Sequence, residues 1–453
     1  MKSRPKKHRK AIVPQALKTL NPNTAGIDVG SEEIYVAVPP DRDEHSVQVF
    51  KTFTRDLHEL THWLIACRIT SVAMESTGVY WIPLYDILQH AGIEVCLVNA
   101  RHVKNVPGKK TDVLDCQWLQ QLHSYGLLSS SFRPSEEILR LRTISRQRDM
   151  LLRYRAAHIQ HMQKALHEMN IQLDNVISDI TGTTGLAIVR AILAGERNPH
   201  VLAQHRDPHC RSTQEDIVKS LEGSYLDEHL FELKQALELY DFYTTQILDC
   251  DHRLQLFYAA SSCSPYSTQP LPPTAKAKKR ARQDPSFDLR TCLYRLAGVD
   301  LTQVDGLNSV TTQMILSETG VDFSRWPTCK HFTSWLSLCP NNKISGGKIL
   351  DTQHKKTTNR AALAFRLAAR SLHHSKSALG AYYRRVLAQH GPQQANKATA
   401  HKIARIVFTM IKNHMEYHDL GELYFEQRFH ERTIRRLQRK ATELGFQLVP
   451  ITP

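Results

Sequence analysis

No stretch of this 453-residue chain approaches the ~20 consecutive apolar residues that a membrane-spanning helix needs, so an integral helical membrane protein is excluded. The basic opening MKSRPKKHRK is not followed by the apolar core of a signal peptide, and a cytosolic protein is expected. Cysteine is sparse and odd in number, nine residues without a single CxxC pair; that pattern excludes a disulfide framework and the common zinc ribbons. His200, His205 and His209 with Cys210 do not make a zinc-ligand spacing and read as surface residues. Acidic residues are also short: 44 Asp and Glu stand against 59 Lys and Arg, a formal net charge of +15. An excess of that size points to a polyanionic partner, because clustered cations gain affinity for phosphate through counterion release. Nucleic acid, DNA first, is the expected partner.

What is present is organised unevenly. Residues 1–22 are basic and aperiodic and read as a flexible arm, with a solubilising tail as the equal alternative. TAGIDVGSEEIYVAVPP and SVQVFKTFT then read as strands, RDLHELTHWLIACRI as a helix, SVAMEST as a short strand, YWIPLYDILQHAG as a helix closed by Gly92, and IEVCLVNA as a buried strand. This order predicts an α/β sandwich over residues 23–133, with antiparallel opening strands and a parallel continuation. Over 134–258 the pattern turns helical. Ile159, Met162, Leu166 and Met169 form one stripe, and Leu230, Leu233, Leu237, Tyr240, Ile247 and Leu254 a near-heptad one, interrupted by Arg148, Arg155 and Asp251. A coiled-coil arm and a helical-bundle core both fit; TGTTGLAIVRAILAGERNP between them reads as a helical hairpin. Residues 259–286, Ser- and Pro-rich with five basic residues in AKAKKRAR, read as a linker, and 287–453 as a second helix-rich unit.

Four carboxylates stand out. Asp28 lies in GIDVGS amid apolar neighbours on an expected central strand, where a charge is costly unless a cation or donors neutralise it. Glu75, in AMESTGVYW, repeats the oddity at the end of a second strand. Asp112 and Asp115, in KKTDVLDCQWL behind Lys109 and Lys110, are spaced i, i+3 and point the same way from one helix. Two strand ends and one helix can bring such acids together around Mg²⁺ or Mn²⁺, the ions that oxygen-only donor sets suit. Any one of them alone is more often a cap or a solvated charge, and Asp112 can simply begin a helix after Thr111.

A second constellation is KISGGK, where Ser345 precedes Gly346 and Gly347 between Lys343 and Lys348. Paired glycines let a backbone approach closely and expose the hydroxyl before them, and lysines can hold a phosphate beside it. Read alone, the stretch is more often a flexible loop. In VDGLNSVTTQMILSE, Gly306 marks a tight turn that suits either a phosphate-binding helix-hairpin-helix or an ordinary packing corner. Lys355, Lys356 and Arg360, in KKTTNRAALAFRLAARSL, place cations at one end of a helix and suggest a DNA-facing surface.

GIDVGSEEIYVAVP, AMESTGVYW, VNARHVKNVPGKKTDVLDCQWL, VDGLNSVTTQMILSETG and SWLSLCPNNKISGGK resemble, in combination and over nearly the whole chain, the DEDD-type transposases of the insertion-sequence 110 family, described as bridge-RNA-guided recombinases. The resemblance implies a ribonuclease-H-like domain similar to RuvC at 23–133, carrying Asp28, Glu75, Asp112 and Asp115 as metal ligands, a coiled-coil middle, and a C-terminal transposase domain with Ser345 as nucleophile toward DNA. It also implies a structured guide RNA as partner and a homo-oligomer, dimer or tetramer, at work in the bacterial cytosol on the nucleoid. The basic arm and the Pro- and Lys-rich segment depart from shorter members of the family. Two rivals remain: a ribonuclease-H-like junction nuclease that uses water, and a non-catalytic nucleic-acid scaffold in which the acids cap helices.

Overall fold

Alternation of apolar residues in TAGIDV, EIYVA and VQVFK, and short apolar runs in SVAME and EVCLV, produce five strands: β1 (Thr24–Val29), β2 (Glu33–Ala37), β3 (Val47–Lys51), β4 (Ser71–Glu75) and β5 (Glu94–Val98). In this computed structural model the described residues are 19–76, 78–99, 111–267, 270, 271, 273, 283–340, 342–346, 348–351 and 358–449. The sheet order is β3-β2-β1-β4-β5, with β1–β2 and β2–β3 antiparallel and β1–β4 and β4–β5 parallel. Antiparallel opening followed by parallel crossovers is the expected topology. With its helices it fits a ribonuclease-H-like N-terminal domain.

The period of two divides the sheet's faces. Ala25, Ile27, Val29, Val72, Met74, Val95 and Leu97 join the main core with α1 (Thr54–Ala66) and α2 (Trp81–His90). Leu57, Leu60 and Leu64, at i, i+3 and i+7, are buried in that core and contribute about 1.5–3 kcal/mol each. Gly92 takes φ +79° just past α2, the left-handed exit a glycine permits. The opposite face is covered by α3 (Asp112–Ser124), which packs Leu119 on Ala73 and Val98.

The chain divides into two compact units at Arg133/Pro134, and the second is helix-rich. Its first long helix is α4 (Glu136–Glu168); α5 (Thr183–Leu193), α6 (Pro199–Leu202) and α7 (Gln214–Ser220) follow, then α8 (Asp227–Ala260). The expected hairpin between the long helices is instead one helix, α5, and a short turn of helix begun by the Asn198 cap. α4 and α8 run antiparallel: Lys164 meets Glu232, His158 stacks on Tyr243 at 5.4 Å, and Arg148 meets Asp251. The charges that interrupt the two stripes therefore answer one another. Arg148 Nε donates to Asp251 Oδ1 at 2.5 Å with both side chains 3% exposed, while Arg148 also donates to the Gln283 carbonyl and the Ser286 amide donates to Asp251.

The remainder comprises α9 (Leu289–Ala297), α10 (Ser309–Thr319), α11 (Cys329–Trp335), the hairpin β6 (Lys343–Ser345) and β7 (Lys348–Asp351), α12 (Arg360–Ser371), α13 (Ala378–His390), α14 (Pro392–Asn413) and α15 (Gly421–Glu443). An aromatic nucleus of Phe323, Trp326, Phe332, Phe365 and Phe408 holds these helices. The described ends of the expected linker are tied to this unit, with the Ser264 amide donating to the Arg295 carbonyl and Tyr266 stacked 3.5 Å from His414.

Candidate active site

The acidic site is built by one close contact. A Cβ placed on Gly26 would stand 2.1 Å from the Cys116 carbonyl oxygen and 2.3 Å from the Gln120 amide, so only glycine lets α3 lie this close to β1. From Gly26 two strand residues, about 6.6 Å, lead to Asp28 on the same face. From Cys116 one turn back along α3, about 6 Å, leads to Asp112. The two distances match because α3 runs antiparallel to β1, and the carboxylates arrive at one place: Asp28, Asp112 and Asp115 each offer an oxygen within 4.8 Å of the others.

Local sequence fixes the helix end. Thr111 is the N-cap, its hydroxyl accepting from the Leu114 amide at 3.3 Å, so Asp112 begins the helix and Asp115 lies one turn on. Asp112 is exposed, and Asp28 and Asp115 are half-buried. Beneath them Cys116 is buried, and burial pushes its thiol up to about 12; it holds its proton and offers no thiolate. At the other end of α3, His123 Nε2 lies 2.6 Å from Ser71 Oγ and its carbonyl accepts from Asn21 Nδ2, which anchors the helix at the starts of β4 and β1.

Glu75 ends β4 on the same sheet face as Ala73, and its predecessor Met74 is in register with Ile27. It falls outside the mutual 4.8 Å grouping, so three of the four expected acids are brought together and the fourth flanks them. The oxygen-only set fits a hard divalent cation. A second group, Glu168, His229 and Glu232, meets the same distance test. There the Lys164 ammonium lies 3.1 Å from Glu168 and 3.7 Å from Glu232, and an ion-pair network accounts for it.

In the second unit, Ser345 ends β6, exposed, opposite Lys348 across the hairpin. Gly346 has φ +56° with open space around it, as a tight turn requires. The stretch that reads as a loop is thus a two-stranded hairpin. Lys343 opens β6; its side chain, and Lys109, Lys110, Gly347, Lys355 and Lys356 altogether, lie outside the described residues. Gly306 (φ +89°) packs where a Cβ would be 2.5 Å from the Ala368 carbonyl oxygen, and Asn308 caps α10 by accepting from the Thr311 amide. Arg360 is engaged inside the unit: it pairs with Asp149 and approaches Glu318 at 3.5 Å, and Glu318 also takes a two-pronged bond from Arg146, each contact 2.8 Å. Residue spacing gave no sign of this knot, in which Arg146 and Glu318 are 172 positions apart in sequence and Asp149 and Arg360 are 211 apart.

Residues 25–171 match a transposase family model of the DEDD type named for IS110, and residues 299–384 match the model described as Transposase IS116/IS110/IS902 family. The chain belongs to the IS110 family of DEDD transposases. Comparison with curated proteins gave no match. The first match spans Asp28, Glu75, Asp112 and Asp115, and the second spans Ser345. A transposase acts on DNA, in keeping with the excess of positive charge. Among the described residues no helix is long and apolar enough to cross a membrane.

Proposed function

We propose that this transposase cleaves and exchanges DNA strands with Asp28, Asp112 and Asp115, flanked by Glu75, holding Mg²⁺ or Mn²⁺, and with Ser345 as the nucleophile. The observation that carries the reading is the convergence of three carboxylates from one strand and one helix N-terminus, separated by 84 positions at their nearest in sequence (112 − 28), within 4.8 Å. A bound divalent cation would supply Lewis-acid polarisation of a phosphodiester. The chain's own residues do the rest. The acids fix the cation's place, because Gly26 holds α3 against β1. The Ser345 hydroxyl, presented at a hairpin end, forms a bond from Oγ to phosphorus while the bond from phosphorus to the 3′ oxygen breaks. That oxygen takes the serine proton, leaving a 5′-phosphoserine ester. Attack on the ester by another strand's 3′ hydroxyl reverses the step and completes exchange.

The readings of a guide RNA, a coiled-coil middle, a homo-oligomer and a nucleoid-associated cytosolic setting belong to the same proposal. The basic stretches suit backbones rather than base edges, so target choice is assigned to RNA pairing, with the protein recognising shape and phosphate. The long antiparallel α4–α8 pair is assigned as the coiled-coil arm. The test is a suicide DNA substrate offered to the RNase-treated chain, with and without a structured transcript from the element's flank. A covalent adduct that needs both Ser345 and the transcript supports the proposal. Metal-dependent cutting without an adduct supports the water-using nuclease, and efficient site-specific exchange by RNA-free protein removes the guide.

A further inference from the structure

We infer that α15 pairs antiparallel with the α15 of a second copy of this chain. The inference rests on the homo-oligomer reading above, of which it names one interface, and is independent of the catalytic chemistry; a monomeric wild type would remove both, an unchanged seam variant only this interface. α15 buries no residue. Its first turns are docked through Glu422, paired with Arg384, and Phe429, 3.4 Å beneath the Arg385 guanidinium. About 120° around the helix runs a separate stripe: Leu423, Gln427, His430, Ile434, Leu437 and Ala441, continued by Leu444 just past the helix end. The spacing alternates 4 and 3 without a break, the seam of a two-stranded coiled coil rather than the wider face of a helix packed on a core. Leu423 is 83% exposed, Leu437 45% and Leu444 66%. A third face carries Arg428, Arg432, Arg435 and Arg439, at i, i+4, i+7 and i+11.

The seam's own flanks identify its occupant. Glu426 and Lys440 precede the seam positions Gln427 and Ala441 and so edge the same side of it, while Glu431 edges the other. A parallel pairing of two copies sets Glu426 against the partner's Glu431 on both flanks, a like-charge contact made twice. An antiparallel pairing centred near Arg432 sets Glu426 against the partner's Lys440, also twice, and seats Ala441 opposite the partner's Leu423, small against large. The Glu431 side chains then approach across the axis, between Arg428 and Arg435 of their own helices. The arginine stripe points outward on both copies, free for a polyanion.

The test uses the full chain, freed of nucleic acid, in sedimentation equilibrium across the micromolar range. The wild type is expected to self-associate, and Ile434→Glu/Leu437→Glu to show half its mass with the same circular dichroism, since both residues are on the surface. Glu426→Lys and Lys440→Glu alone are each expected to weaken association roughly tenfold, as two contacts turn from attraction to repulsion, and the double exchange to restore it. A monomeric wild type, or an unchanged mass for the seam variant, overturns the inference. Unchanged or tighter association of Glu426→Lys overturns the antiparallel arrangement.

Discussion

Gly26 and Cys116 are in contact closer than any side chain allows: a Cβ at Gly26 would sit 2.1 Å from the Cys116 carbonyl oxygen. That absence of one carbon sets the height of α3 over β1, and the height decides whether Asp112 and Asp115 reach Asp28. Gly26→Ala forces the helix away from the strand. The expected cost is about 1–3 kcal/mol in stability, with loss of divalent-cation affinity beyond what that destabilisation explains. Thermal melts with and without Mn²⁺ check it; an alanine variant that gains as much stability from Mn²⁺ as the wild type would contradict the geometry.

The far end of the same helix makes the site pH-sensitive. Burial holds the His123 imidazole below its ordinary value of 6.5, so the unfolded chain binds this proton more readily than the folded one. The stability contributed by neutral His123 is full above about pH 6.5 and is lost as pH falls through that value toward the lower folded one. Protection of the α3 amides, with the pH dependence of intrinsic exchange divided out, should therefore fall between neutral and mildly acidic pH. His123→Gln should flatten that part of the profile, and a profile that does not change would remove His123 from the anchor.

Replacing one member of the Arg148–Asp251 pair strands a buried charge. Arg148→Met or Asp251→Leu alone should cost about 3–5 kcal/mol, while the double change should cost much less. Denaturant melts of the four proteins give the coupling directly. Additive losses would show that the two charges do not depend on each other.

Much of this was legible in the sequence. The alternation around Asp28, the i, i+3 spacing of Asp112 and Asp115, and the glycine after α2 are local signals, and each corresponds to a local feature of the fold. What was not legible depends on contacts remote in sequence. Nothing in TAGIDV says that Gly26 makes room for a helix ninety residues on. Arg148 and Asp251 each look like a flaw in an apolar stripe until the stripes are laid face to face. Arg360 reads as one cation of a DNA-facing helix end, and its ion pairs with Asp149 and Glu318 are invisible in the sequence because those acids belong to other helices. Glu75 flanks the other three acids instead of joining their grouping, which strand order alone does not give.

The proposed division of labour between the acids and the serine makes a complementation prediction. Asp115→Ala and Ser345→Ala should each be inactive in strand exchange while binding DNA nearly as well as the wild type. If acids and serine of different copies work together, a mixture of the two variants should recover part of the activity. No recovery, in mixed oligomers demonstrated to form, would place both in one chain.

The most direct test of the acidic centre is Mn²⁺ binding by the full-length chain, followed by electron paramagnetic resonance as free ion disappears, for the wild type and for Asp28→Asn, Asp112→Asn and Asp115→Asn. Each variant keeps the side chain's size and removes one charge. Saturable binding by the wild type, competed by Mg²⁺, is expected, with at least tenfold weaker binding by each variant at unchanged folding, roughly 1.4 kcal/mol or more. Equal Mn²⁺ affinity in all four proteins would contradict this expectation.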